Sequence, residues 1–422
     1  MKPKLYQELN LPLSVQEKAD RMNRDASKIP PYTILPLPFD ETSSIQEKNI
    51  AKNRTLDIFA KKLYGEIPPR CEKIEVIVKS SNSAFNNLAC RKEIDIVCTN
   101  NGITRTLNML LYLPAKTTNK VPCFVGLNFT GNVDTTFDKD VTFIPFTRCQ
   151  SPWACLNDDN RSDGTTRGGQ AGRWDFEKVI KAGFASATIC YFDIFPDNPN
   201  GFKDSILPMF YSQEEWDSPN RKSSAISAWA WGIMRAIDAV ETLPEIDRNK
   251  IIVHGFSRLG KTALWTGAND NRAAMTVSIC SGCCGAKLSR RYFGENMEWL
   301  DNWRKYWFVP CFEDYVQNDT NIPFDQHQLL ATIAPRLLYV ASASEDFNAD
   351  PEGEFLSTKL ASKVWGSDGI NQDANFPPTN SGIGEKAVRY FLREGRHNFT
   401  PENWNDLLEF AKKHFLSKKN KG

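Results

Sequence analysis

Apolar residues in the first third of the chain fall into short segments separated by turns. The segments CEKIEVIVKS, EIDIVCT and TLNMLLYLP carry apolar residues in alternating or continuous order over strand-like lengths. Their close spacing predicts the antiparallel start of a sheet. The segment PCFVGLNFTGN follows as a buried strand that ends in a turn rich in glycine and asparagine.

Beyond residue 174, helical and strand-like segments alternate. The predicted helices are DFEKVIKAG, SAISAWAWGIMRAIDAVETL, KTALWTGA and PENWNDLLEFAKKHFL, and the predicted strands are FASATICYF, IIVHG, AAMTVSIC and RLLYVAS. Alternation at these lengths predicts βαβ units and a mostly parallel central sheet with helices on both faces. The predicted fold class is therefore α/β, a three-layer sandwich.

The domain organisation follows from the length of 422 residues, because α/β proteins of this size often form one domain. Residues 1–70 mix helix-like and proline-rich pieces, and we expect an irregular N-terminal segment packed on the domain. Residues 71–422 are expected to form a single α/β domain. A long polar loop from Thr135 to Trp174 interrupts it, and such loops are usually functional or rim insertions.

The composition and the N-terminal sequence argue against several kinds of partner. The net charge is +1 and 41% of the residues are hydrophobic, so a large core can form and no basic excess indicates nucleic acid or an acidic membrane surface. The N-terminal residues contain no apolar stretch of the length that a signal peptide or a membrane span needs. The compartment stays open, since a leader could have been removed.

Cysteine usage argues against both a zinc site and a dense disulfide framework. The eleven cysteines are an odd number and are scattered along the chain. Most are expected to be buried thiols. Cys149 and Cys155 are close enough in the chain to bridge a loop.

The sharpest chemical signal is the apolar strand 251–254, which leads into Gly-x-Ser-x-x-Gly over residues 255–260 and then into a helix. A tight strand-to-helix turn lifts a serine hydroxyl above the sheet and points a helix N-terminus at a developing oxyanion. Ser257 is therefore the candidate nucleophile, and the predicted fold narrows to that of the α/β-hydrolases. The common pattern has glycine where this chain has Leu259, so a plain glycine-serine turn is the alternative.

A serine nucleophile needs a base, and the chain has only four histidines. His254 belongs to the strand below the serine, and His414 belongs to the amphipathic C-terminal helix. His327 precedes the strand RLLYVAS, whereas His397 lies between the last strand and the last helix, where this fold carries its base. We therefore predict His397 as the base.

The acid of the triad is expected after the strand RLLYVAS and before His397, because the order in this fold is serine, acid, histidine. Asp346 and Glu345 both lie there, in the turn Ser344-Glu345-Asp346. A carboxylate in that turn would hold the imidazole in the required tautomer. We favour Asp346, which is further into the loop, and keep Glu345 as the alternative.

With these residues in place, the chain resembles carbohydrate esterase family 15, the glucuronoyl esterases, and especially its bacterial members. The resemblance runs from about Cys71 to the C-terminus and rests on GFSRLGK, SGCCGAKLSRRYFGE, IPFDQHQLLATIAPR, ADPEGEF and REGRH, in the family's order. It implies an α/β-hydrolase catalytic domain over residues 71–422 that requires neither a metal ion nor a cofactor.

The resemblance also implies roles for residues near the serine. The Arg258 guanidinium would add to the oxyanion hole, and Lys261 and Glu295 would contact sugar hydroxyls. These residue types suit the roles, because a fixed cation stabilises an oxyanion and charged groups bind hydroxyls through charge-assisted hydrogen bonds. The alternatives are that Lys261 covers its own helix and that Glu295 pairs with Arg290 or Arg291.

The chain departs from the family at three places. Fungal members carry the triad acid as a glutamate shortly after the nucleophile, where this chain has Cys280. They also have cysteines before the serine and after the base, where this chain has Phe256 and Asn398, so no disulfide is expected between the two catalytic loops. The family's tryptophan ahead of ADP is replaced by Asn348, and Phe347 beside it is the alternative stacking face for a sugar.

The resemblance predicts a serine-type carboxylic ester hydrolase that acts on polysaccharide-linked esters, most specifically the ester between 4-O-methyl-glucuronate on xylan and lignin alcohols. The alternatives are an acetyl xylan or other sugar acyl esterase and a catalytically silent carbohydrate-binding relative. We expect a monomer whose partner is a polysaccharide or oligosaccharide ester, with neither nucleic acid nor a membrane. The resemblance favours a periplasmic or secreted location, with any signal peptide removed.

Overall fold

A ten-stranded sheet runs through the structure. The computed structural model describes residues 22–117, 119–145 and 164–416. The strands are β1 (Lys73–Ala84), β2 (Ala89–Asn100), β3 (Ile103–Pro114), β4 (Val121–Asn128), β5 (Ala185–Cys190), β6 (Ile246–Phe256), β7 (Ala273–Ile279), β8 (Leu337–Ala343), β9 (Ser381–Ile383) and β10 (Val388–Arg393). Across the sheet they lie in the order β1-β2-β3-β5-β4-β6-β7-β8-β10-β9.

The α-helices flank this sheet. They are α1 (Ile45–Phe59), α2 (Ala171–Trp174), α3 (Phe176–Lys181), α4 (Gln213–Asp217), α5 (Ala225–Glu241), α6 (Arg258–Asn269), α7 (Met297–Arg304), α8 (Gln326–Ala331), α9 (Pro351–Ala361) and α10 (Pro401–Phe415). None of the helices in the described part of the chain combines the length and the apolar character needed to span a bilayer.

The sheet is antiparallel at its start and parallel through its centre. β1, β2 and β3 pair antiparallel in sequence, as predicted, and β3 also pairs antiparallel with β5. From β5 through β4, β6, β7 and β8 to β10 every pairing is parallel. The short strand β9, which the apolar pattern did not predict, pairs antiparallel with β10. The predicted mostly parallel sheet is confirmed.

Apolar clusters cover both faces of the sheet. Successive residues of β6 alternate between them, since Val253 belongs to the cluster that includes Trp265 of α6, and Ile252 belongs to the cluster that includes Trp404 of α10. Adjacent residues of a strand point to opposite faces, so these clusters lie on opposite sides. β4 and β5 are buried at every position, as expected for covered parallel strands. The predicted three-layer sandwich is confirmed.

The N-terminal segment contains more regular structure than its sequence pattern predicted. Helix α1 has 15 residues and begins with a capping box, in which the Ser44 side chain and Glu47 satisfy each other's backbone N–H groups. Phe59, its last residue, and Leu63 in the turn that follows belong to the larger apolar cluster of the sheet. The domain boundary at residue 70 stays a prediction.

The predicted loop between Thr135 and Trp174 lies partly outside the described residues. Where it is described, it ends in the single turn of α2. Cys149 and Cys155 lie outside the described residues. No disulfide joins any two cysteines within the described ranges.

Candidate active site

Ser257 occupies a sharp turn between β6 and α6. Its φ is 59° and its ψ is −129°, a conformation that a residue other than glycine adopts only where the surrounding structure holds it. The Ser257 N–H donates to the Ile279 carbonyl at the end of neighbouring β7, 2.9 Å away. The serine therefore stands at the carboxyl edge of the parallel strands and at the N-terminus of a helix, where charge on an anion is stabilised.

The two glycines of the motif lie where the turn is tightest. A Cβ on Gly255 would lie 1.9 Å from the Leu259 carbonyl oxygen, and one on Gly260 would lie 3.0 Å from the Cβ of Ser281. Leu259 itself is buried in the larger apolar cluster, so a side chain fits there. On the helix side the close contact thus falls at position 260 rather than 259. This explains why the second glycine of the motif lies one residue later than in the common pattern.

His397 lies within hydrogen-bonding distance of the serine. Its Nε2 is 3.0 Å from the Oγ of Ser257, and its Nδ1 is 2.6 Å from the Oδ2 of Asp346. With Nδ1 protonated, the imidazole donates to the carboxylate and accepts from the hydroxyl, which is the geometry of a catalytic triad. The His397 side chain is 43% exposed and that of Asp346 is 4% exposed, so the acid is buried behind a base that faces solvent.

The other three histidines are engaged elsewhere. His254 is buried beneath the turn, with its ring edge-on to Trp404, and burial lowers its pKa to about 3, so it stays neutral. The Nε2 of His327 lies 2.8 Å from the Leu35 carbonyl oxygen. His414 packs against an aromatic ring of its own helix α10. Of the four histidines, His397 is therefore the one that lies next to Ser257.

Asp346 reaches the base because β8 and β10 are parallel neighbours. The loops that follow these two strands lie side by side, and the Glu345 N–H donates to the Gly395 carbonyl at 2.8 Å. The Glu345 carboxylate points away and lies 3.6 Å from Arg396, with both side chains exposed. Of the two candidate acids, Asp346 is the one that contacts His397.

Arg258 follows the nucleophile at the first position of α6, but its side chain is buried. Its guanidinium donates to the carboxylate of Asp197 and lies over the Trp307 ring, with its carbon 4.7 Å from the ring centroid. The Arg258 and Asp197 side chains are 10% and 3% exposed. The cation predicted for the oxyanion hole is thus held by a buried carboxylate that sequence reasoning did not identify.

Asp197 accepts hydrogen bonds from three further groups. Tyr191 and Tyr306 donate their hydroxyls at 2.8 and 2.7 Å, and the Trp307 indole N–H donates at 2.7 Å. Burial opposes ionisation of this carboxyl, yet the Arg258 charge and these donors outweigh it and lower the pKa of Asp197 to about 2. No local motif marks Asp197 in the sequence, because its partners come from other segments.

Lys261 and Glu295 lie together next to the turn. The Lys261 Nζ is 3.4 Å from the Oε2 of Glu295 and also donates to a backbone carbonyl of the loop after β7. The Lys261 side chain is 4% exposed and that of Glu295 is 21% exposed. Arg290 and Arg291, the alternative partners of Glu295, contact other groups. Glu295 is therefore the member of the pair that solvent and a ligand can reach.

Asn348 and Phe347 lie beside this pair. The Glu295 N–H donates to the Asn348 carbonyl at 2.8 Å. The Asn348 side-chain oxygen accepts from the Arg24 guanidinium at 3.0 Å, which brings the N-terminal segment to the rim of the site. The Phe347 side chain is 52% exposed, so an aromatic face is present next to the position where the family's tryptophan is expected.

Cys280 directly follows β7 and lies close to the triad. Its Sγ, a carboxylate oxygen of Asp346 and a ring nitrogen of His397 lie within 4.8 Å of one another. The Nδ1 of His397 and the carboxylate are hydrogen-bonded at 2.6 Å, whereas ligands on a zinc ion at about 2.0 to 2.2 Å each would stand further apart. Burial raises the pKa of the Cys280 thiol, which therefore stays neutral. The arrangement of Cys280, Asp346 and His397 therefore fits a catalytic triad with a neutral thiol beside it better than a zinc site.

Glu354 is a second buried carboxyl that sequence reasoning did not single out, although it lies in the quoted segment ADPEGEF. It accepts from the N–H groups of Ser281 and Gly282 at 2.8 and 2.9 Å, which fixes the loop after Cys280. Burial is the main cause that raises its pKa, to about 7. Its contacts are structural ones that hold the floor of the site.

Comparison with known proteins places this fold among the α/β-hydrolases. The family model described as "Glucuronyl esterase, fungi" matches residues 210–369. A carbohydrate esterase from an unknown prokaryotic organism is 35% identical over 402 residues, which are 93% of this chain and 92% of the relative. The chain belongs to carbohydrate esterase family 15, and the predicted α/β-hydrolase fold is confirmed.

Two solved structures are similar over nearly the whole chain. The glucuronoyl esterase from Solibacter usitatus has a TM-score of 0.83 and 35% identity, and the match covers 92% of this chain and 99% of that one. A promiscuous esterase of the same family from a marine bacterial metagenome has a TM-score of 0.81 and 35% identity, covering 93% and 100%. The resemblance inferred from the sequence motifs is therefore confirmed.

Proposed function

We propose that this chain hydrolyses esters of glucuronic acid in polysaccharides through an acyl-enzyme on Ser257. The observation that carries the proposal is the contact of Ser257 with His397 at 3.0 Å, continued to Asp346 at 2.6 Å, in a chain of carbohydrate esterase family 15. The matching family model is described as a glucuronyl esterase, and the similar structure from Solibacter usitatus is described as a glucuronoyl esterase. The natural ester is the one between 4-O-methyl-glucuronate on xylan and a lignin alcohol.

In the first half of the reaction, the Ser257 oxygen attacks the ester carbonyl while His397 Nε2 takes its proton. Asp346 holds Nδ1–H and stabilises the imidazolium that forms. The developing oxyanion lies at the N-terminus of α6, where the Arg258 N–H and guanidinium stabilise it. His397 then returns the proton to the leaving alcohol, and a water molecule hydrolyses the acyl-enzyme by the same route.

Glu295 and Lys261 select the sugar. The partly exposed Glu295 carboxylate accepts hydrogen bonds from sugar hydroxyls, and the buried Lys261 orients that carboxylate from behind. Arg258 differs from both, because its cation is paired with Asp197 rather than with Glu295, and we assign it to the oxyanion rather than to the sugar ring. These roles fit a sugar ester in which the acyl carbon belongs to the sugar itself.

A second candidate function is the removal of acetyl or other acyl groups from xylan or other sugars. The structure of the marine metagenome esterase is described as that of a promiscuous enzyme, and Asn348 leaves this chain without the family's tryptophan. A catalytically silent carbohydrate-binding relative is the third reading. Hydrolysis of any simple aryl ester would exclude it.

Paired substrates separate these candidates. We expect the purified protein to release alcohol from methyl or benzyl glucuronate with a higher kcat/KM than it releases acetate from an acetylated xylo-oligosaccharide, because the acyl carbon of glucuronate lies on the ring that Glu295 binds. Product analysis by chromatography measures both, and Ser257→Ala is the control for background hydrolysis. Acetate release without glucuronate ester cleavage would establish the second candidate instead.

The position of the missing tryptophan predicts a change in binding. Asn348→Trp is expected to lower KM for methyl glucuronate by about tenfold with kcat unchanged, since a stacked ring adds ~1 kcal/mol or slightly more to ground and transition states alike. Asn348→Ala is the matched control, because it removes the Arg24 contact without adding a ring.

Phe347 decides the alternative outcome of that experiment. Its exposed ring can already supply the aromatic face on which the sugar stacks. Phe347→Ala would then raise KM and Asn348→Trp would gain nothing. If neither substitution changes glucuronate ester kinetics while acetylated xylan is cleaved readily, the sugar-acid assignment is wrong.

The location and assembly of the protein stay proposals. The family resemblance favours the periplasm or the outside of the cell, and we expect the enzyme there. A monomer suffices for the proposed site, because Ser257, His397, Asp346 and Glu295 all come from one chain.

A further inference from the structure

One arginine outside the triad contacts the residue next to the nucleophile and the residue next to the base. The Arg173 Nε donates to the side-chain oxygen of Asn398 at 2.8 Å. Its guanidinium carbon also lies 5.0 Å from the centroid of the Phe256 ring. Phe256 immediately precedes Ser257, and Asn398 immediately follows His397.

The Phe256 ring completes a continuous contact between the two loops. Its centroid lies 4.6 Å from that of the His397 imidazole. Phe256 therefore has the cation of Arg173 and the imidazole of the base as neighbours. Through this ring and through Asn398, Arg173 connects the turn of the serine with the loop of the base.

Arg173 is itself held in place from two directions. Its Nη1 donates to the Gln170 side chain at 2.6 Å, and its carbonyl accepts from the Trp404 indole N–H at 3.0 Å. Trp404 belongs to α10, which begins directly after the loop of His397. The short helix α2 is thus fixed to the element that follows the base.

Keeping Arg173 protonated costs free energy, because its guanidinium is partly removed from water. No carboxylate of residues 22–117, 119–145 or 164–416 lies within 4.0 Å of its guanidinium. Burial lowers the pKa of Arg173 to about 10, so the group is still protonated at neutral pH. A half-buried cation is tolerated when rings and hydrogen-bond acceptors replace water, and here these are Phe256, Phe129 and the two amide oxygens.

We propose that Arg173 is a positioning residue that fixes the His397 loop against the nucleophile turn and so sets the distance between Nε2 and the serine hydroxyl. The proposal rests on the proposed esterase activity of Ser257. It follows from the juxtaposition of one guanidinium with Phe256 and Asn398. Without this contact the two loops have one connection fewer, and a base displaced by about 1 Å can lose roughly 10²-fold in rate.

The test compares Arg173→Met with Arg167→Met. Arg167 belongs to the same loop and donates to the backbone carbonyls of Asp138 and Val141, so its loss removes a structural contact of similar kind. We expect Arg173→Met to lower kcat on methyl glucuronate by 10- to 100-fold with KM within twofold, and Arg167→Met to leave kcat within twofold. Equal losses of kcat in both variants would overturn the proposal.

A second readout does not depend on the natural ester. A fluorophosphonate labels an activated serine, and we expect its rate of reaction with Ser257 to fall by the same factor as kcat in Arg173→Met. If methyl glucuronate is not cleaved but labelling still falls, the substrate assignment fails and the positioning role stands. An unchanged labelling rate in a folded Arg173→Met protein would refute that role.

Asn398→Ala provides a milder variant in case Arg173→Met does not fold. It removes one of the two contacts, and we expect a smaller loss of kcat and of labelling rate. Combining it with Arg173→Met should add little, because both substitutions remove the same hydrogen bond. Independent losses that multiply in the double variant would show that Arg173 does not act through Asn398.

Discussion

Ser257→Ala and His397→Ala are each expected to lower kcat on glucuronate esters by roughly 10⁵-fold or more while the protein stays folded. Members of a triad act as a unit, so the loss of either one removes most of the advantage and the double variant should be little worse. Steady-state kinetics with methyl glucuronate measure the loss, and circular dichroism with thermal unfolding verifies the fold.

His327→Ala is the matched control for the base. This histidine is buried and contacts the Leu35 carbonyl, so its removal is expected to lower the thermal midpoint and to leave kcat unchanged. A folded His327→Ala protein that is as inactive as His397→Ala would contradict the assignment of the base. Residual activity in Ser257→Ala above the solution rate is still expected, since oxyanion donors and binding act without the nucleophile.

Asp346→Asn is expected to lower kcat by roughly 10³- to 10⁴-fold, following the behaviour of triads whose acid is made neutral. An amide in place of the carboxylate no longer selects the tautomer in which Nε2 accepts the serine proton. Glu345→Gln is the matched control one residue away, and kcat should stay within about twofold, because the Glu345 carboxylate lies near exposed Arg396. Activity that survives in both variants would mean that the acid comes from elsewhere.

The position of Cys280 offers a rescue of the Asp346→Asn protein. The Cys280 Sγ lies within 4.8 Å of the His397 and Asp346 ligand atoms, so a carboxylate introduced there can reach the imidazole. Cys280→Glu in the Asp346→Asn background should recover part of the lost kcat, whereas Cys280→Ser should not. Failure of the rescue would show that the loop after β7 cannot hold a longer side chain in this chain.

The pair of Arg258 and Asp197 illustrates how a buried cation is kept at the site of reaction. An isolated buried guanidinium would be costly, but Asp197 neutralises it and two phenols and an indole satisfy that carboxylate. The guanidinium is thereby oriented before substrate binds. Stabilisation of an oxyanion is greatest when its donors need no reorganisation during the reaction.

Much of the fold and the turn of Ser257 could be predicted from sequence, because their signals are local. Apolar periodicity predicted the central strands and the long helices. The turn at Ser257 is encoded by Gly255, where a Cβ would collide with the backbone, and by Gly260, where a Cβ would be tightly packed. His397 followed from the small number of histidines and the order of elements. Short elements such as β9 were not predicted, because three residues are too few to show a periodic pattern of apolar positions.

The sequence by itself thus determined the class of fold, the nucleophile turn and the family. Only the tertiary structure decided which carboxylate meets His397, because Asp346 and Glu345 are adjacent in the chain and differ in the direction of their side chains. The contacts of Asp197 and Arg173 could not be predicted for the same reason, since their partners Arg258 and Asn398 lie 61 and 225 positions away in the chain. Contacts between such distant residues are set by the packing of the sheet and its helices, and no local pattern encodes them.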